Sequence, residues 1–159
     1  WSQKHGMECM KNKEKETIRS KEEIIEFAFS INDPIAQLFG NWDFRDFFKK
    51  KLEGFGFSSE ILYDWKHTIS EFNKTEFSLF ISDGGYMRSF PNELIAIRKI
   101  QPNIPIIMIS ALKYSEEYVK DFGLFENLLL LSFDCLSLAN TVVNLLNEAT
   151  LLNSGIEND

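Results

Sequence analysis

Apolar residues alternate between short runs and helically spaced sets from residue 34 onward. Five short apolar runs predict strands: "IAQLFG", "SEILYDW", "FSLFISD", "IPIIMISA" and "NLLLLSF". The segments between and after them have helical periodicity: "WDFRDFFKKKLEGFGF", "HTISEFNKT", "NELIAIRKI", "SEEYVKDFG" and "DCLSLANTVVNLLNEATLL". Strands that alternate with helices predict an α/β fold built on a doubly wound, five-stranded parallel sheet.

An additional segment precedes this pattern. Ser20 and Glu23 have the spacing of a capping box, and a helical face follows at Ile24, Phe27, Ala28 and Ile31. The same stretch also alternates as a strand would, at Ile25, Phe27, Phe29 and Ile31. We favour the helix. The predicted organisation is a polar arm and helix over residues 1–33, an α/β domain over 34–152 and a polar tail over 153–159.

Composition narrows the classes of function. The net charge of −7 disfavours nucleic acid and anionic membrane as partners, since both would repel the chain. Cys9 and Cys135 lie far apart and form no CxxC pair, so we expect no disulfide scaffold or zinc site, and a cytoplasmic location. No apolar run is long enough to span a membrane.

Two polar residues stand where ligands bind in a doubly wound sheet. Asp83 ends the third predicted strand and Ser110 ends the fourth. Ligands of such sheets lie beyond the carboxyl ends of the strands, where the strand order reverses. Asp83 is therefore the best candidate for a functional side chain. The alternative interpretations are structural: Asp83 caps a turn, and Ser110 satisfies backbone groups at a strand end.

The region from about residue 35 to 150 resembles the receiver domain of two-component response regulators, which has a CheY-like fold. The resemblance rests on the strand that ends in Asp83, on Glu93-Leu94 at the start of the next helix, and on the segments "IRKIQPNIPIIMISA" and "FDCLSLANTVVNLL". It implies that Asp83 accepts phosphate from a histidine kinase and that Ser110 is the switch residue. It also implies an acidic pair after the first strand that binds Mg²⁺, and a lysine after the fifth.

The sequence departs from the family pattern at these last two places. Gly40 and Asn41 stand where the acidic pair is expected, although Arg45 has the spacing of the family's first helix. Ser132 replaces the expected lysine, and Phe133 follows it. Asp83 alone provides too few ligands for Mg²⁺, which prefers several oxygen ligands. We expect a degenerate, or pseudo-, receiver with apolar side chains crowding the pocket.

A different register restores one metal ligand. If "IIEFAFSIND" were the first strand, Asp33 would lie at its carboxyl end and bind metal beside Asp83. Asp43 is a second possible donor. Either residue would favour a working Mg²⁺ site.

Three functions remain open from the sequence. The first is a non-enzymatic signalling domain that acts through protein contacts, with impaired or absent phosphorylation and no cofactor. The second is a phosphorylatable receiver that uses Mg²⁺ and a histidine kinase. The third, a small-ligand-binding α/β domain, is the weakest, because the chain has no GxGxxG, P-loop or GxSxG motif. Since no effector domain follows, we expect output by docking or through a domain outside this chain.

The N-terminal segment also predicts a mode of association. Apolar residues occur on more than one side of the stretch from Ser20 to Ile31. Large exposed apolar patches are rare on monomers, so the domain itself or a second copy must cover some of them. We expect a homodimer that uses this segment.

Overall fold

The computed structural model describes residues 18–40, 42–84, 90–110, 127–130 and 134–158. Five strands form one parallel sheet. They are β1 (Ile35–Leu38), β2 (Ser59–Leu62), β3 (Leu79–Asp83), β4 (Ile106–Ser110) and β5 (Asn127–Leu130). The helices in this part of the chain are α1 (Lys21–Phe29), α2 (Trp42–Gly54), α3 (Trp65–Lys74), α4 (Pro91–Ile100) and α5 (Cys135–Asn158).

The strand order is β2-β1-β3-β4-β5, which is the doubly wound arrangement that the sequence predicts. In register, Ile35 of β1 pairs with Leu79 of β3 and with Ser59 of β2. All five predicted strands are present, each shorter than its apolar run. The order reverses between β1 and β3, so the switch point of the sheet lies between the ends of these two strands.

Helices cover both faces of the sheet and enclose two separate cores. On one face, α1, α2 and α5 bury side chains that include Ile24, Phe39, Phe48, Leu138 and Val142. On the other face, α3 and α4 pack an aromatic cluster around Phe80, which contacts Trp65 and Phe72 at ring-centroid distances of 5.9 and 5.6 Å. Because the central strands are buried on both sides, they read as continuous apolar runs in the sequence.

The N-terminal segment is helical, as predicted, and the strand interpretation of it is wrong. Ser20 Oγ accepts a hydrogen bond from Glu23 N at 3.2 Å, and Glu23 Oε1 accepts one from Ser20 N at 3.0 Å, which completes the capping box. Ile24 and Ala28 are buried in the core shared with α5. The helix therefore rests on its own domain through the face that the helical spacing identifies.

Polar contacts fix the start of this segment on α5. Arg19 N donates to Asn140 Oδ1 at 2.8 Å, and the Arg19 guanidinium donates to Asn144 Oδ1. Both asparagines are buried and lie one helical turn apart. The contact joins residues that are more than a hundred positions apart in the chain, so it forms only in the folded domain.

The helix ends follow ordinary capping chemistry. Gly56 has φ of 96°, a left-handed conformation that favours glycine. It closes α2 in a Schellman motif, in which Phe57 N donates to Leu52 O at 3.1 Å and Gly56 N to Glu53 O at 2.9 Å. Asp134 caps the start of α5, since its Oδ1 accepts a hydrogen bond from Ser137 N at 2.7 Å.

The last helix is longer than the sequence predicts. It continues to Asn158, so residues 153–158 are helical where we expected a polar tail. A helix that has already formed gains one hydrogen bond with each added residue, which extends it beyond its apolar stripe. The predicted helix at "SEEYVKDFG" lies outside the described residues. None of the helices in the described part of the chain is long and apolar enough to cross a membrane.

Candidate functional site

Asp83 lies at the switch point of the sheet. It is the last residue of β3, which is hydrogen-bonded to β1 on one side and to β4 on the other. Its side chain is half-buried, whereas the four residues before it in the strand are buried. A buried strand that ends in a partly exposed carboxylate places that carboxylate at the edge where doubly wound sheets bind ligands.

The Asp83 carboxylate bonds to the backbone that follows β1. Gly40 N donates to Asp83 Oδ2 over 2.8 Å. One residue earlier on β3, Ser82 Oγ donates to Leu38 O over 2.7 Å, and this side chain is fully buried. Two successive residues of β3 therefore tie its end to the end of β1.

Arg45 lies on the other side of the same backbone. Its Nε donates to Phe39 O at 2.7 Å and its Nη2 to Tyr63 O at 3.1 Å. The guanidinium also lies 5.5 Å from the centre of the Tyr63 ring. Arg45 is only 5% exposed, so α2 places a buried positive charge at the carboxyl ends of β1 and β2.

Ser110, the predicted switch residue, ends the neighbouring strand β4. The register pairs Asp83 with Ile109, which places Ser110 one residue beyond the level of Asp83. Ser110 is buried, at 6% exposed. The structure thus brings Asp83 and Ser110 to adjacent strand ends. The switching role of Ser110 stays a prediction.

Three of the departures from the family pattern lie outside the described residues. These are Asn41, Ser132 and Phe133, so the predicted crowding of the pocket by apolar side chains also stays a prediction. Gly40 lies within the described residues. Its backbone N–H contacts Asp83 at the position where the family pattern has an acidic side chain.

The register that would bring Asp33 to the site is wrong. Asp33 precedes β1, and the neighbouring Pro34 O accepts from Ser78 N at 2.9 Å, just before β3 begins. Asp33 is therefore at the amino edge of the sheet, opposite Asp83. The physical reason is that "IIEFAF" buries a helical face against α5 and forms α1 instead of a strand. Asp43 lies in the first turn of α2, after β1.

Metal-ligating side chains are not clustered in the described part of the chain. In that part of the chain no group of three or more His, Cys, Asp or Glu side chains is arranged to hold a metal ion. At Asp83, one carboxylate oxygen accepts the Gly40 N–H, and the buried cation Arg45 donates to the carbonyl of the same peptide group.

A large open groove lies at the opposite, amino edge of the sheet. Its volume is about 630 Å³, and it is lined by residues near the C-terminal ends of α1, α3 and α4, including Asp33, Lys74 and Gln101. Gln101 Nε2 donates to Thr75 O at 2.8 Å. Because the groove lies at the amino edge and Asp83 at the carboxyl edge, the groove is not part of the Asp83 site.

Sequence reasoning missed the role of Arg45 as a buried cation. A signal for it exists: Arg45, Phe48 and Leu52 have the spacing of one helical face, and the latter two are buried. A charged residue on an otherwise apolar stripe indicates a buried, hydrogen-bonded group. Gln37 in β1 was also missed. It is fully buried, its Nε2 donates to Ser59 Oγ, and its Oε1 has no hydrogen-bond partner among the described residues.

Solved structures with this fold share little sequence with the chain. NtrX from Brucella abortus has a TM-score of 0.71 at 19% identity, over 80% of this chain and 29% of NtrX. A CheY-like response regulator receiver domain protein from Methanospirillum hungatei has a TM-score of 0.65 at 16% identity, over 75% of this chain and 98% of that one. A Francisella response regulator receiver domain has a TM-score of 0.63 at 21% identity, over 74% and 98%.

Sequence comparison alone gives no relatives: no protein-family model and no curated protein matches the chain. The match to NtrX spans less than a third of that protein, whereas the two receiver proteins are covered almost completely. The shared part is thus one receiver-sized domain with Asp83 and Ser110 at adjacent strand ends. The chain therefore has the CheY-like fold of response-regulator receiver domains.

Proposed function

We propose that the chain is a receiver-like signalling domain that acts through protein contacts, with impaired or absent phosphorylation of Asp83. One observation carries the proposal: Asp83 Oδ2 accepts the Gly40 N–H at the place where the resemblance to receivers leads one to expect metal-binding carboxylates. A backbone amide satisfies the carboxylate without supplying the charge that phosphoryl transfer requires.

Phosphoryl transfer to an aspartate requires that the negative charge on the transferred group be neutralised. Magnesium and lysine neutralise that charge in the receivers that this chain resembles, and each supplies a charge-assisted contact. Losing one such contact costs about 1.5–3 kcal/mol. Gly40-Asn41 and Ser132 stand where these groups are expected. Arg45 does not replace them directly, since its guanidinium donates to the carbonyls of Phe39 and Tyr63.

The partners that fit this proposal are signalling proteins or a histidine kinase rather than nucleic acid. The net charge of −7 opposes binding to nucleic acid and to anionic membranes. We assign no enzymatic activity and no cofactor to the domain. A reducing, cytoplasmic setting suits a chain whose two cysteines lie far apart in sequence.

A magnesium titration tests the proposal. Amide resonances of the ¹⁵N-labelled protein would be followed to millimolar Mg²⁺, with and without a small phosphodonor such as acetyl phosphate. We expect no saturable shift of Gly40 or Asp83. The matched control is Asp83→Asn, which keeps the shape of the side chain. A saturable titration that this variant loses would contradict the proposal.

The second candidate is a phosphorylatable receiver with Asp83 as phosphoacceptor. The observation that favours it is the placement of Asp83 and Ser110 on adjacent strands at the switch point. Under this alternative, Mg²⁺ and a phosphodonor together produce a modified protein, and Ser110→Ala changes its lifetime or conformational response. The two candidates therefore differ in a directly measurable product.

Homodimerisation through the N-terminal segment is part of the proposal. With Ile24 and Ala28 buried within the domain, the outer side of the segment exposes Ile18 at 86% and Phe29 at 77%. Ile25 and Phe29 are four residues apart on one side of α1, and Ile18 is exposed just before the helix begins, which supports an association through this surface. In sedimentation, we expect Phe29→Glu to give a lighter species than the parent chain. The control is Phe47→Glu on α2, and equal monomer masses for all three proteins would contradict the dimer.

A further inference from the structure

The hydrogen bonds made by Arg45 and Asp83 meet on a single peptide group. Phe39 C=O, which accepts from Arg45 Nε at 2.7 Å, and Gly40 N–H, which donates to Asp83 Oδ2 at 2.8 Å, belong to the peptide that joins these two residues. Peptide bonds in the described chain are trans, so the C=O and the N–H point in opposite directions. A cation and an anion therefore lie at the two ends of one peptide dipole.

The topology explains why the two charges approach from opposite sides. The strand β1 lies between β2 and β3 in the sheet. Arg45 joins the end of β1 to the end of β2 through Phe39 O and Tyr63 O. Asp83 joins the end of β3 to the end of β1. Together they connect three neighbouring strand ends in one polar chain.

Side-chain packing holds the shared peptide in place. Phe39 is fully buried, and its ring stacks on Phe48 with the centroids 5.0 Å apart. Arg45 and Phe48 are three residues apart on α2, so the helix contacts Phe39 twice, at the ring and at the carbonyl oxygen. Rotation of the peptide away from Asp83 would break the hydrogen bond between Phe39 O and Arg45.

Hydrogen bonds that share a polarisable group strengthen one another, and charged partners increase the effect. The Arg45 guanidinium draws electron density toward Phe39 O, which makes Gly40 N–H a better donor to the carboxylate. The carboxylate acts in the reverse sense on Phe39 O. The two charged groups are linked only through this peptide, yet each one stabilises the position of the other.

We propose that Arg45 is a positioning residue for Asp83, acting through the Phe39–Gly40 peptide group. It orients the carboxylate toward β1 and fixes which oxygen accepts the backbone amide. This inference rests on the proposed function, in which Asp83 binds no metal: it explains what then holds the carboxylate in one orientation. Its structural content concerns only the unmodified protein.

The coupling is reciprocal, so the test can begin without changing Arg45. In the full chain, Asp83→Asn removes the negative charge and keeps the size of the side chain. We expect the NMR resonance of the Arg45 Nε–H to move upfield, toward that of a more weakly bonded donor. Asp134→Asn is the matched control, since Asp134 Oδ1 also accepts one backbone amide, from Ser137 N at 2.7 Å, at the start of α5. It should leave Arg45 unchanged.

The second arm changes Arg45 and reads Gly40. Arg45→Lys keeps a positive charge but loses the planar donor group, and Arg45→Met loses the charge as well. We expect the Gly40 amide proton to move upfield in both, and to exchange with solvent at least about tenfold faster in Arg45→Met, as the weakening of a charge-assisted hydrogen bond implies. Lys50→Met, which removes an exposed charge from the same helix, is the control.

The outcomes separate this inference from the proposed function. An Arg45 Nε–H that responds to Asp83→Asn and not to Asp134→Asn supports the coupling, even if Asp83 is later shown to accept phosphate. An unchanged Arg45 resonance in Asp83→Asn overturns it, even if the protein is never phosphorylated. If Arg45→Met does not fold, the Asp83→Asn arm decides alone.

Discussion

The interior of the sheet and its carboxyl edge are stabilised by different interactions in this protein. The central strands bury apolar side chains on both faces, and the buried residues of β3 and β4 are almost all hydrophobic. At the edge where these strands end, the side chains of Arg45, Ser82 and Asp83 form hydrogen bonds with backbone groups at the end of β1. The interior specifies the receiver fold, whereas the edge uses its polar groups to join strand ends.

The comparison shows that the fold constrains the interior of the sheet, whereas it leaves the chemistry at the switch point free to vary. Burial of apolar area depends on the size and pattern of side chains, and many sequences satisfy it. Phosphoryl chemistry requires particular charges at fixed positions, so two or three substitutions remove it. The low sequence identity to receiver structures of the same fold agrees with this division.

The largest effect should come from the interior. Phe80→Ala removes a fully buried ring that contacts Trp65 and Phe72, and we expect a loss of about 3–5 kcal/mol in the free energy of unfolding. The matched control is Phe47→Ala on α2, since Phe47 is 46% exposed and lies outside the proposed dimer surface, and it should cost far less stability than Phe80→Ala. Urea denaturation measures both. Similar losses for the two variants would contradict the described core.

At the edge, Arg45→Met leaves the carbonyls of Phe39 and Tyr63 without this donor. A buried acceptor that loses its partner costs about 1–3 kcal/mol, so we expect a loss in that range or somewhat above it. Thermal unfolding compared with Lys50→Met provides the measurement. An Arg45→Met variant as stable as Lys50→Met would show that the edge contributes nothing to stability.

The contact between Arg19 and α5 should contribute less than either of these, because it is polar and only partly buried. Asn140→Ala should cost about 0.5–1.5 kcal/mol and loosen the start of α1. Amide exchange of residues in α1 is the informative measurement, with Asn73→Ala as control, since Asn73 is exposed and bonds within its own helix. If amide exchange in α1 is unchanged, Asn140 does not hold the start of this helix.

The smallest effect on stability should come from Glu23, whose carboxylate is exposed, whereas that of Asp83 is half-buried. The hydrogen bond from the Ser20 backbone lowers the pKa of Glu23 below its ordinary value of 4.5. Because the folded-state pKa is depressed, this contribution to stability is present above pH 4.5 and disappears as the pH falls through the lower folded value. The stability difference between the parent and Glu23→Gln should shrink over that range. A difference that does not depend on pH would contradict the capping box.

Much of the fold could be predicted because it depends on periodicity. The five apolar runs and the helical spacing at Ile24 and Ala28 are visible in the sequence, and the structure contains them as predicted. The end of α5 was predicted too early because residues 153–158 carry no apolar pattern. Helix propagation, which needs no such pattern, extends it.

The candidate site could be predicted only in part. The position of Asp83 at a strand end follows from the pattern, and so does its proximity to Ser110. Its bond to the Gly40 amide does not, because backbone donors are the same at every residue except proline. The role of Arg45 depends on the distance from a side chain to a carbonyl across two strands, which only the three-dimensional arrangement provides.

The most direct test of the central claim is the intact mass of the protein after incubation with Mg²⁺ and a small phosphodonor. If Asp83 is held by the backbone and lacks the charges that phosphoryl transfer needs, the mass should remain that of the unmodified chain, as in Asp83→Asn. The addition of one phosphoryl group that Asp83→Asn abolishes would contradict the account and establish a working phosphoacceptor.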